Sequence, residues 1–243
     1  MALSSSNDFY KTIEKEARGE SCFLFGNESY LVQDALERIC HKLFNTPRPT
    51  LNDNLNYEIY YGGERDPDRV CEALTSLPFF ADFKLIVVKE FDQFREKDIE
   101  KVTEAVASKD PSVTLVLISN QVDKRTKSYK KIEKLCQSVE FKQPYERDLP
   151  QWIQYLAQQQ KIQIGTTESL LLISLVGSDL MMLSNELKKI NIGLNDRHKI
   201  SENDILKFST HGKDENVFAF SDLLANRSTT QALALLKKLL EQG

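Results

Sequence analysis

Cys22-Phe23-Leu24-Phe25-Gly26-Asn27-Glu28-Ser29-Tyr30 is the stretch on which the fold turns. Its first four residues are apolar without alternation, the pattern of a strand covered on both faces. Gly26-Asn27 turns the chain, and Asn27 is expected to cap the helix that follows. In that helix Leu36, Ile39, Cys40 and Leu43 fall at i, i+3, i+4 and i+7, a buried stripe. Strand, glycine turn and helix is the arrangement in which a phosphate loop is built. Such a loop needs several glycines, so that backbone donors surround phosphate, then Lys and Ser/Thr for the phosphates and magnesium. Here the turn has one glycine and no lysine, and Glu28 puts a carboxylate where phosphate would arrive. That carboxylate suits the helix start and repels a triphosphate. The architecture is that of a nucleotide binder, and the site is not.

Working outward, the same alternation repeats. Tyr57 to Tyr61 reads as a second strand, closed by Gly62-Gly63. Asp66-Pro67 opens a helix, since Asp accepts backbone donors and proline fits the first helical position. Val70, Ala73, Leu74 and Leu77 give it an apolar stripe up to Pro78. Leu85 to Val88 is a third strand, a helix is expected over about 97–106, and Asp110-Pro111 is a turn. Val113 to Ile118 is a fourth strand, a basic helix is expected over about 127–135, and a short strand over 138–141. Strands alternating with helices predict an α/β fold with a mainly parallel sheet flanked by helices.

The pattern changes at Lys142-Gln143-Pro144, after which helices dominate. Asp148-Leu149-Pro150-Gln151 reads as a variant capping box, Thr167 starts a helix stopped by Gly177, a third spans Leu180 to Ile190, and Ser201-Glu202-Asn203-Asp204 caps a fourth. The expected organisation is an α/β domain over 1–143, a small helical domain over 144–210, and over 211–243 the start of a further helical domain, incomplete. A short helix is also expected over 8–17.

Of the 243 residues 41% are hydrophobic and 28% charged, a globular balance. Acidic residues outnumber basic ones, 36 to 32, so the net charge of −4 argues against a general nucleic-acid binder. No apolar run reaches about 18 residues, so no membrane span is predicted. The start lacks a basic region followed by an apolar stretch, so the protein is expected in the cytoplasm with reduced thiols. Cys22, Cys40, Cys71 and Cys136 contain no C-x-x-C, and His41 beside Cys40 diverges from it on a helix. No metal site, cofactor or catalytic residue is expected. Lys89-Glu90-Phe91-Asp92 faintly resembles a magnesium-binding strand end but reads as surface charge without a phosphate loop, and Asn120 reads as a turn residue.

Two features remain. Leu77-Pro78-Phe79-Phe80 stands between an amphipathic helix and a strand. The adjacent phenylalanines are expected to diverge, and both precede the strand. Core packing and partner docking are equally open from the residues alone, although aromatics on a proline-stiffened turn make a good hot spot. Lys124, Arg125, Lys127, Lys130, Lys131 and Lys134 form a basic cluster, either a solvated helix face or a contact for DNA phosphates.

The segment from Leu77 through Phe79-Phe80-Ala81-Asp82-Phe83-Lys84 to Val88 resembles the clamp-contact segment of the delta subunit of the bacterial DNA polymerase III clamp loader. Phe25-Gly26-Asn27-Glu28 with Tyr30-Leu31, Asn120 through Arg125, Val176-Gly177-Ser178-Asp179-Leu180 with Asn185-Glu186-Leu187, and Asn216-Val217-Phe218 with Asp222-Leu223-Leu224 and Arg227 also fit that family. The resemblance runs essentially end to end and rests on the order and spacing of individually weak motifs. It implies an AAA+-like α/β domain without a working ATP site, a helical lid and the truncated start of a helical collar. The implied role is to bind the ring-shaped sliding clamp (the beta subunit) and help open it for loading onto primed DNA, while other subunits hydrolyse ATP. The implied partners are delta prime, the gamma/tau motor subunits and, weakly or indirectly, primed DNA. The family's hydrophobic wedge falls on Phe79 and Phe80, with Leu77 as support. That wedge often has leucine before phenylalanine, where this chain has two phenylalanines. With most of the collar absent, the chain is expected to bind a clamp better than it assembles into a loader. The competing expectations are an ATP-hydrolysing motor of the same fold and a DNA-binding module.

Overall fold

The computed structural model describes Phe9 and residues 17–51, 53–195 and 197–208. The helix expected over 8–17 lies outside the described residues apart from Phe9 and Ala17. The segment expected over 211–243 lies wholly outside them. The described residues form two compact units that part between Gln143 and Pro144.

In the first unit five strands alternate with four helices: β1 (Ser21–Phe25), α1 (Ser29–Phe44), β2 (Tyr57–Tyr61), α2 (Pro67–Thr75), β3 (Lys84–Lys89), α3 (Glu96–Ala107), β4 (Val113–Ser119), α4 (Lys127–Leu135) and β5 (Gln137–Glu140). The sheet order is β2-β3-β4-β1-β5 and every pairing is parallel. The three inner strands are buried along their length, save Lys89 at the end of β3, as their uninterrupted apolar runs require. β2 and β5 are the edges and are partly exposed. Because all five strands point the same way, every loop entering a strand lies at one edge of the sheet. Every turn leaving a strand lies at the opposite edge. The expected last strand is displaced by one residue, although Phe141 still donates its N–H to Phe25 O at 2.7 Å.

α2 departs from its expected length. The Asp66 carboxylate caps it through the Arg69 N–H and Pro67 occupies its first turn, but it ends at Thr75. Leu77 therefore lies on neither the helix nor its stripe, and it is 75% exposed. Pro78 disfavours helical backbone at the residue before it, and the chain is already extended at Ser76. The i+7 spacing of Leu77 thus runs past the end of the helix that would have given it meaning. At the start of α1 the expectation is also corrected, since the cap is Glu28, whose side chain accepts from the Tyr30 N–H. Asn27 is otherwise engaged, its Oδ1 accepting from the Gln143 N–H at 3.1 Å.

The second unit contains α5 (Leu149–Gln159), α6 (Thr166–Val176), α7 (Leu180–Gly193) and α8 (Glu202–Phe208). Trp152, Ile153, Leu156, Leu183 and Leu187 are buried within it. Asp179 caps α7 through the Met182 N–H at 2.8 Å. Ser201 and Asp204 cap α8 reciprocally: the Ser201 N–H donates to Asp204 Oδ2 at 2.9 Å, and the Asp204 N–H to Ser201 Oγ at 3.4 Å. Asp148 makes no side-chain cap, contrary to expectation. A short 3-10 turn over Glu146–Asp148 runs into α5, so Asp148 has helical backbone angles and not the extended ones a cap needs. Among the described residues no single helix is long and apolar enough to cross a membrane.

Candidate functional site

The turn after β1 shows what has become of the phosphate loop. Gly26 has φ +133°, and a Cβ there would stand 2.0 Å from the Phe141 carbonyl oxygen. Only glycine lets the two backbones approach this closely. The Gly26 N–H donates to Ser119 O at 3.2 Å and the Glu28 N–H to Phe141 O at 3.3 Å. The Tyr30 N–H donates to Glu28 Oε1 at 3.1 Å. Three donors of a would-be phosphate cradle are thus engaged by the chain itself, with a carboxylate on the start of α1. Of the other candidate nucleotide groups, Asp92 accepts the Asn120 backbone N–H on Oδ1 at 3.1 Å. Burial pushes the thiols of Cys22, Cys40 and Cys136 up to about 12, leaving them poor nucleophiles near neutral pH.

The loop between α2 and β3 has the opposite character. It enters a strand, so it lies at the sheet edge away from the Gly26 turn. Leu77, Phe79 and Phe80 are 75%, 55% and 95% exposed. Contrary to expectation, the two phenylalanines do not diverge. Their ring centroids are 4.7 Å apart and the planes meet at 83°, an edge-to-face pair. Phe80 has φ +47°, a left-handed conformation that costs a non-glycine residue about 1–2 kcal/mol. That reversal of the chain accompanies the meeting of neighbouring rings.

Side chains of the sheet hold this loop. Asn56, just before β2, accepts the Phe79 N–H on Oδ1 at 2.7 Å and donates Nδ2–H to Phe79 O at 2.9 Å. Lys84, the first residue of β3, is buried and donates to Ser76 Oγ at 2.5 Å. Its ammonium lies 3.7 Å from Glu58 Oε1. Asn56 is a residue that sequence reasoning missed. Nothing in the local pattern links an asparagine before one strand to a backbone group 23 positions away.

The basic cluster separates into two groups. Lys124 pairs with Glu140 at 2.7 Å, and Arg125 grips Asp123 with two hydrogen bonds of 3.0 and 2.9 Å. Hydrogen bonds from Arg125 hold the Asp123 carboxyl down to about 2. Lys127, Lys130, Lys131 and Lys134 are exposed on α4 and make no ion pair among the described residues. Their i, i+3, i+4, i+7 spacing aligns them on one face, opposite the buried Ser128 and Ile132.

Comparisons with known proteins agree with this layout. The family model described as DNA polymerase III, delta subunit, matches residues 23–142. The chain is 25% identical to DNA polymerase III subunit delta of Bacillus subtilis, over 97% of this chain and 70% of that protein. Among solved structures it is similar to the Bacillus subtilis DNA clamp loader delta protein YqeN, with TM-score 0.78 and 22% identity, covering 98% of this chain and 72% of that one. It is also similar in fold to the Thermotoga maritima RuvB Holliday junction branch migration motor, with TM-score 0.51 and 14% identity, covering 85% and 67% of the two chains. The expected AAA+-like α/β architecture is therefore the one found. The α/β unit bears that family's sequence pattern and nearly the whole chain aligns with a delta subunit, so the family this chain is similar to is that of the DNA polymerase III delta subunits.

Proposed function

We propose that this chain, a clamp-loader delta subunit of DNA replication, binds the sliding clamp through Phe79 and Phe80, supported by Leu77, and helps to open the ring. The observation that carries the reading is the preformed aromatic pair. Two large apolar side chains stand in solvent, packed on each other, on a loop fastened to the sheet. Exposed aromatics on a rigid support are what a hot spot requires, because little freedom is lost when they enter a pocket. The Gly26 turn supports a division of labour in which this subunit holds no ATP and does no chemistry of its own. ATP hydrolysis then falls to the gamma/tau subunits of a complex that also contains delta prime. In this reading residues 1–143 form the docking domain, 144–210 the lid and 211–243 belong to the collar, and the complex works in the cytoplasm. Binding of this chain to a bacterial sliding clamp, with and without Phe79→Ala and Phe80→Ala, tests the assignment. Unchanged affinity in folded variants would overturn it.

A second reading concerns DNA. The lysine face of α4, without an ion pair among the described residues, suits a phosphate backbone better than the six-residue cluster does as a whole, since Lys124 and Arg125 are already paired. A weak, salt-dependent contact of Lys127, Lys130, Lys131 and Lys134 with primed DNA fits that face.

A further inference from the structure

We propose that Asn56 is the positioning residue that sets the Phe79–Phe80 wedge for docking; this rests on the clamp-binding reading of the loop. The side-chain amide of Asn56 pairs with the Phe79 backbone as a strand neighbour would, one bond accepted and one donated, at 2.7 and 2.9 Å. Asn56 is itself fixed. Its carbonyl accepts the Leu85 N–H at 2.8 Å, and its own N–H donates to Asn54 Oδ1 at 2.9 Å. The loop is therefore tied to the β2–β3 ladder at Phe79 and, through Lys84, at Ser76. Between an extended helix exit and the left-handed Phe80, these are two side-chain tethers that hold the loop's shape.

Asparagine suits the task because it carries donor and acceptor on one short planar group. Aspartate keeps the acceptor and loses the donor, setting a carboxylate against the Phe79 carbonyl. Alanine loses both. A wedge released from Asn56 still carries both rings but samples many arrangements, and the fraction competent for docking falls with it.

The experiment uses the full chain and a bacterial sliding clamp, with amide hydrogen exchange at Phe79 read alongside affinity. Asn56→Ala is expected to speed exchange of the Phe79 amide about 10-fold or more and to weaken clamp binding about 5- to 30-fold, with the cooperative melting transition retained. Asn56→Asp, close in size, keeps the acceptor for the Phe79 N–H and sets a carboxylate against the Phe79 carbonyl, so it is expected to weaken clamp binding by a comparable factor with a smaller change in exchange, and its affinity is the readout should the alanine variant fail to fold. In a Phe79→Ala/Phe80→Ala background, Asn56→Ala is expected to change binding less than 2-fold, because its effect passes through the rings. Unchanged exchange at Phe79 in Asn56→Ala, or unchanged affinity in either variant while the double phenylalanine variant binds poorly, would overturn the proposal. Full affinity in the double phenylalanine variant would instead remove the docking reading beneath it.

Discussion

Truncating the two phenylalanines separately gives a ranking that the structure itself dictates. Phe80 is 95% exposed and Phe79 55% exposed before any partner binds. An aromatic side chain carries about 150–250 Å² of surface. At about 25 cal/mol per Å², sheathing what Phe80 exposes is worth about 3.5–6 kcal/mol, and what Phe79 exposes about 2–3.5 kcal/mol. Ordering each ring costs about 0.5–1.5 kcal/mol, and alanine keeps part of the contact. Phe80→Ala is then expected to cost about 3 kcal/mol of clamp affinity, or about 150-fold in Kd. Phe79→Ala is expected to cost about 1.5 kcal/mol, or about 10-fold. The fold should hardly notice the loss of Phe80, since the free protein forfeits one edge-to-face contact of about 0.5–1.5 kcal/mol. For the same reason the double variant should lose less than the sum of the singles, the rings being in contact. Titration calorimetry against the clamp, with thermal melting of each variant, measures all of this. Phe80→Ala binding within 2-fold of the parent would refute the reasoning, as would Phe79→Ala proving the more damaging of the two.

Gly26→Ala should destabilise the α/β unit by about 3–5 kcal/mol, from backbone strain and the displaced Phe141 carbonyl with its hydrogen bonds. Denaturant unfolding measures it, and a loss under about 1 kcal/mol would contradict the geometry. Hydrogen bonds from Arg197, with those from Ser201, hold the Asp204 carboxyl well below its ordinary value. A group depressed in this way contributes stability fully above its unfolded value of about 3.9 and loses it as pH falls toward the folded one. Asp204→Asn should therefore lower stability at neutral pH and flatten its fall in acid, read from melting temperatures between pH 7 and 3. Replacing Lys127, Lys130, Lys131 and Lys134 together with glutamine should weaken binding to primed DNA uniformly across sequences. The slope of log K against log salt should fall by about 2–3 if most of them meet phosphates. An unchanged slope assigns the stripe to solvent.

Much of the α/β unit was legible because its inner strands carry unbroken apolar runs between helices with clear stripes, and no other layer architecture satisfies that alternation. The Gly26 turn was legible too as a strand–glycine–helix junction with one glycine and no lysine. What escaped was decided by competition for particular groups. Asn27 and Glu28 are both fit to cap α1, and the Gln143 N–H claims the asparagine. Leu77 has perfect helical spacing, yet the proline after it takes its backbone out of the helix. The contact between Phe79 and Phe80 depends on a left-handed residue that nothing in the type of side chain announces. Asn56 shows the same limit most clearly. Its role exists only because parallel pairing of β2 with β3 brings it beside a loop far along the chain.

The two ends of the sheet explain why a chain without a phosphate loop keeps the architecture of one. At the edge where strands finish, the N–H groups of Gly26, Glu28 and Tyr30 in a nucleotide-type turn are taken up by Ser119, Phe141 and Glu28. At the edge where strands begin, Asn56 just before β2 and Lys84 at the start of β3 fasten the Phe79–Phe80 loop proposed to dock. Rigidity is what that loop needs, because an aromatic wedge on a mobile support would lose on binding the freedom it had in solution. A buried parallel sheet supplies the rigidity whether or not it holds a nucleotide. On the proposed docking reading, a subunit that holds no nucleotide keeps its wedge in one shape throughout, and the timing of its access to the clamp is imposed by the subunits around it. Mutations at the Gly26 turn should accordingly act on stability, and mutations at Asn56 on docking, with little exchange between the two.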